Sequence, residues 1–151
     1  MDRKIIVAGA GLGLGVILAA LMVKVTAAKP WTLTLGVFSD KKMKHKITGA
    51  TVGDTIYIGG FFAPLKEEPV VGSEVTAFMQ LDTSIFKLGS YVIKESDVFE
   101  FNMAWYVIEW TIPSTVDTMN LGGKTVSIWV EAVTPTKYQE SSQYTTFELS
   151  G

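Results

Sequence analysis

The side chains best equipped for chemistry in this sequence are few and scattered. Asp82 lies in Leu81-Asp82-Thr83-Ser84, where a carboxylate precedes two hydroxyl residues. Two carboxylates held in contact share one proton, so one can act as an acid while the other acts as a base. A single such motif would complete its pair only from a second copy of the chain. The competing reading makes Asp82 a turn residue that ends a strand, a role suited to its short polar side chain. His45, the one histidine, sits in Asp40-Lys41-Lys42-Met43-Lys44-His45-Lys46, a charged run that predicts a solvated turn rather than the rim of a hydrolytic triad. Glu67-Glu68 beside Lys66 reads as an exposed loop rather than a calcium cage. The absence of cysteine excludes thiol nucleophiles, disulfides and thiolate metal sites. G-x-S-x-G, P-loop and H-E-x-x-H patterns do not occur. The expectation is a chain with no catalytic residue, no metal site and no cofactor.

Charge narrows the partners. The chain has 151 residues and a formal net charge of −2. Residues 1–29 carry Arg3, Lys4, Lys24 and Lys29 against Asp2, or 4 − 1 = +3, which leaves −5 for the rest. That remainder contains no arginine, so it lacks the basic excess and guanidinium forks that nucleic-acid binding uses. Nucleic acid is set aside. With 48% apolar and 19% charged residues, the chain is also no disordered polyelectrolyte.

The elements that must position any site are strands. All 17 aromatic residues lie after residue 30, mixed with Thr, Val and Ile at period-two spacing and separated by Gly, Pro, Asp and Ser. In 125–133, Val126, Ile128, Val130 and Ala132 point one way while Thr125, Ser127, Trp129 and Glu131 point the other. In 74–81, Val75, Ala77, Met79 and Leu81 face inward by the same alternation. Further strands are expected at 31–38, 46–52, 55–62, 86–93, 98–105, 106–112 and 144–149. So many short strands in about 120 residues predict an all-β, two-sheet sandwich over residues 31–151. If 74–81 and 125–133 are neighbours, Phe78 and Trp129 share an outward face and form a candidate partner surface.

Ahead of the sandwich, residues 5–23 run for nineteen positions without a charge, IIVAGAGLGLGVILAALMV, after a charged head at 1–4 and before a linker at 24–30. As a helix this stretch spans roughly 28 Å, close to the roughly 30 Å of a bilayer's hydrocarbon. A single transmembrane-type α-helix is therefore expected. A cleaved signal peptide would have a shorter apolar core and no Lys24 within reach of the small residues of Val25-Thr26-Ala27. A dinucleotide-binding fingerprint lacks its third glycine and the acidic residue that should follow. Gly9 and Gly13, and Gly11 and Gly15, sit four apart and form small-residue lines through which helices can approach one another. Trp31, the first aromatic, is the expected interfacial anchor, with Pro30 ending the helix.

Three resemblances follow from these residues. Asp82-Thr83-Ser84 resembles the Asp-Thr-Ser/Gly signature of aspartic proteases of the retroviral, dimeric type, although Asn120-Leu121-Gly122-Gly123 departs from the apolar-apolar-Gly segment that should follow. Gly53-Asp54-Thr55-Ile56-Tyr57-Ile58, Ile112-Pro113 and Lys124-Thr125-Val126-Ser127-Ile128-Trp129-Val130 resemble, in order, strands of immunoglobulin-like domains of surface proteins. An apolar N-terminal helix before such a sandwich is similar to archaeal pilins, archaellins and anchored accessory proteins of the archaellum, which implies a filament whose helices pack in a central bundle. No Lys-Gly or Arg-Gly processing site precedes the apolar run, and this favours an anchor over a processed pilin. The expected function is a non-enzymatic, membrane-anchored structural or assembly protein. Its sandwich lies outside a cell or on a virion membrane, and its partners are lipid or the helices of like subunits in a homo-oligomer.

Overall fold

The computed structural model describes residues 26–27, 32–65, 68–113 and 124–150. The described strands are β1 (Thr26–Ala27), β2 (Gly36–Phe38), β3 (Gly49–Thr51), β4 (Thr55–Phe62), β5 (Glu74–Leu81), β6 (Ser84–Val92), β7 (Val98–Glu100), β8 (Met103–Thr111), β9 (Lys124–Val133), β10 (Gln139–Ser141) and β11 (Thr145–Ser150), with one 3-10 turn at Glu95–Asp97. The fold is all-β and built of two sheets, as the alternating pattern predicts.

The larger sheet is organised around β9. Along one side β9 pairs with β5, and along the other it pairs with β11 at its start and β10 at its end. β6 closes one edge through β5, while β3 and β1 add in parallel to β11 and β10. The smaller sheet runs β2-β4-β8-β7, all antiparallel. Period-two spacing turns one face of each sheet inward. Val126, Ile128, Val130 and Ala132 of β9 and Val75, Ala77 and Met79 of β5 thereby meet Ile56, Ile58 and Phe62 of β4 and Ala104, Tyr106 and Ile108 of β8 in one buried cluster. The single polar atom of Tyr106 is satisfied there, since its hydroxyl donates to the Thr34 carbonyl at 2.6 Å, and burial drives its ionisation far above the ordinary tyrosine value.

Element boundaries differ from expectation where turn chemistry was hidden. The strands expected at 98–105 and 106–112 are instead a short edge strand, β7, and a continuous β8, joined by a turn at Phe101-Asn102. No glycine or proline marks this turn. Asn102 supplies it by adopting φ 53°, a left-handed conformation that Asn tolerates better than other side chains. The segment 46–52 pairs only at Gly49–Thr51, apart from a bridge between Lys46 and Phe38. Thr26–Ala27, inside the stretch expected to be linker, pairs with Glu140 and Ser141. No helix among the described residues is long and apolar enough to cross a membrane. The segment 5–23 expected to do so lies outside the described residues, as do Gly9, Gly11, Gly13, Gly15 and Trp31.

Candidate functional site

Asp82 occupies the exposed tip of the β5–β6 hairpin, where Leu81 and Ser84 pair. Its φ of 53° and the bond from Gln80 Nε2 to its carbonyl, 2.9 Å, are features of a tight turn. His45 is exposed too, its Nδ1 3.5 Å from Asp40 Oδ1. The Asp40 carboxylate closes its own loop by accepting the Lys44 and His45 backbone N–H groups. Burial alone would raise the Asp40 pKa, but those N–H bonds and the His45 imidazole outweigh it and hold the carboxyl below its usual value. Among the described residues no group of three His, Cys, Asp or Glu side chains could hold a metal ion. A solvent-open cleft of about 310 Å³ lies between β6 and the outer face of the smaller sheet, lined by Lys41, Tyr57, Tyr91, Val107 and Glu109. It brings Lys41, Glu109 and the Ser90 hydroxyl near the Tyr57 and Tyr91 rings.

Phe78 and Trp129 are brought together as expected, directly opposite each other on β5 and β9. Their rings stack with centroids 5.6 Å apart and 22° between planes. Trp129 is nevertheless covered rather than displayed. It packs against Tyr144 at 5.0 Å, its Nε1 donates to Glu131 Oε2 at 3.1 Å, and only 4% of it remains exposed. The expectation of an exposed tryptophan here is corrected: Tyr144 is the ring that meets solvent. Burial pushes the Glu131 carboxyl up, an effect the Trp129 N–H bond partly offsets.

A second aromatic cluster, absent from the sequence reading, lies on the outer face of the smaller sheet. β4 and β8 pair Phe61 with Trp105, and β7 adds Phe99. Phe99 stacks on Trp105 at 4.6 Å, and Phe61 meets both edge-on at 6.2 and 5.9 Å. Phe99 and Trp105 stay more than two-fifths exposed, and Phe101, at the tip of the β7–β8 turn, is 93% exposed. The period-two rule puts Phe61 on the face opposite Phe62, but nothing local reveals that Trp105 and Phe99 will stand beside it.

The turn that carries Phe101 is clamped. Asn102 Oδ1 accepts the Val70 N–H at 2.9 Å, and its Nδ2 donates to the Glu68 carbonyl at 2.7 Å. Glu68 in turn accepts the hydroxyls of Thr134, at 3.1 Å, and Thr136. Buried Glu140 accepts the Leu65 N–H through Oε2 at 2.9 Å, while its Oε1 has no hydrogen-bond partner among the described residues. Beside these carboxylates the Tyr138 phenol is pushed up to about 12, by burial first and then by Glu140 and Glu68. These bonds join the loop before β5, the turn after β9 and the β7–β8 turn into one end of the molecule. β1 enters at this same end, because it runs alongside β10, which starts at Gln139 opposite the last residue of β9. No protein-family model matches the sequence and no curated protein is significantly similar to it.

Proposed function

We propose that this chain is a non-enzymatic, membrane-anchored structural or assembly protein. Residues 5–23 form its single spanning helix, and an immunoglobulin-like sandwich is displayed outside a cell or on a virion membrane. The observation that carries the reading is the short distance between the two parts. Only Lys24 and Val25 separate the nineteen uncharged residues from β1, so the last apolar residue lies within about 10 Å of the sandwich end by chain length alone. Such a connection holds a domain against a surface rather than on a long stalk.

Membrane fractionation of the full chain tests this. The protein should resist alkaline extraction, dissolve in detergent, and lose its sandwich to protease added from outside intact cells or particles. Recovery as a full-length monomer from aqueous fractions without detergent would overturn it. The second reading, a pilin- or archaellin-like filament subunit with helices in a central bundle, draws support from the two glycine lines at 9/13 and 11/15. Imaging of the extracted assembly, with mass spectrometry of the mature N-terminus, separates a processed filament from an anchored domain.

A further inference from the structure

We propose that the β7–β8 turn is a second membrane contact, in which Phe101, backed by Phe99 and Trp105, enters the headgroup region of the bilayer that holds the N-terminal segment. The inference rests on the anchored reading above and adds where, and with which side chains, the sandwich touches lipid. Three observations converge on it. First, the apolar segment must reach the sandwich at the end where β1 enters, and the β7–β8 turn lies at that end through the Asn102 bonds to Glu68 and Val70. Second, exposed apolar side chains lie there: Phe101 is 93% exposed and Val71, in the loop that Asn102 grips, is 41% exposed, whereas among the described residues the β5–β6 tip at the opposite end carries Asp82 and Thr83. Third, the two Asn102 hydrogen bonds tie the turn to the loop at 68–70, and in that arrangement the Phe101 ring stands clear of the sandwich.

The arrangement gives two contacts at opposite edges. β1 is an edge strand of the larger sheet, while β7 is an edge strand of the smaller one, beside β8, which packs against β5 and β6 on the far side of β9 from β1. At about 4.8 Å per strand the two contacts are separated by roughly 20 Å. A tether at one corner and an aromatic wedge at the other fix the tilt of the domain, which a tether alone leaves free. Aromatic rings suit this depth, where their apolar bodies meet acyl chains while polar neighbours stay wet. Glu100, exposed next to Phe101, limits insertion to the ring, since deeper entry would desolvate its carboxylate.

The chain has no cysteine, so a single introduced thiol can be labelled selectively. The full chain carrying F101C or T83C, each labelled with an environment-sensitive fluorophore, is reconstituted in phosphatidylcholine and phosphatidylglycerol vesicles with and without nitroxide-labelled lipid. Flotation of the vesicles reports anchoring, and fluorescence reports contact. The expected result is co-flotation of both proteins, with emission from position 101 blue-shifted and quenched severalfold more strongly by nitroxide lipid than emission from position 83. Co-flotation with equal, water-like emission from both positions would overturn the contact and leave the anchor standing. Failure to float would overturn the anchor and the contact with it. A blue shift at 101 that grows with protein density and is insensitive to nitroxide lipid would show that another copy of the chain covers the turn, and would also overturn the proposal. F101S should melt at the temperature of the parent chain, because its ring is almost wholly outside the fold.

Discussion

Asn102 holds two roles in one residue: it makes the β7–β8 turn possible at φ 53°, and its amide ties that turn to the loop at 68–70. Asn102→Ala should therefore cost about 2–4 kcal/mol, from left-handed strain plus an orphaned Val70 N–H, whereas Asn102→Gly should recover the first part only. Denaturant titration of the three proteins would order them Asn, Gly, Ala, and equal stability of Gly and Asn would show that the side-chain bonds contribute nothing. Trp129, which strand alternation places on the candidate partner surface, packs between Phe78 and Tyr144 and so serves the fold itself. Trp129→Ser should destabilise the fold by about 3 kcal/mol, read as a drop of several degrees in Tm. Glu131 beside it has a raised carboxyl pKa, so the folded state keeps its proton at pH values where the unfolded chain has lost it. Its contribution favours folding below the ordinary carboxylate range and is lost as pH rises through the raised value. Glu131→Gln, which retains an acceptor for Trp129 Nε1, should flatten this decline; an unchanged pH profile would remove Glu131 as its source.

At the scale of elements, the interior strands were legible and the edges were not. β5 and β9 announce themselves because one face is buried along their whole length, which forces a clean alternation onto the sequence. β1, β7 and β10 are two or three residues long, too short for any period to show, and exist because a neighbour offers free backbone groups. The junction of β2 and β4 depends on an absence that no pattern reveals. A Cβ at Gly60 would lie 2.5 Å from the Thr34 carbonyl oxygen, which also accepts the Tyr106 hydroxyl and has little room to retreat. Gly60→Ala should accordingly cost about 1–3 kcal/mol or prevent folding, while a melt unchanged from the parent would mean the strands can separate freely there. The candidate partner surface divides in the same way: alternation placed Phe78 and Trp129 on one face, but cover by Tyr144 arises from a residue fifteen positions away.

For the molecule as a whole, removing residues 1–24 should leave a folded domain that no longer floats with vesicles, since β1 and every strand after it are retained. Retention of flotation by the shortened chain would assign membrane binding to the sandwich surface alone. The sequence by itself determined the all-β class, the inward faces of β5 and β9, the scarcity of catalytic groups and the uncharged stretch before the sandwich, because each is a property of residue type and spacing along the chain. Only the tertiary structure decided that Trp129 is covered, that Phe61, Phe99 and Trp105 form one cluster, and that the Phe101 turn shares an end with the entry of β1. Those are relations between strands distant in sequence, fixed by pairing register and by side-chain bonds such as those of Asn102, and local alternation carries no record of which strands will become neighbours.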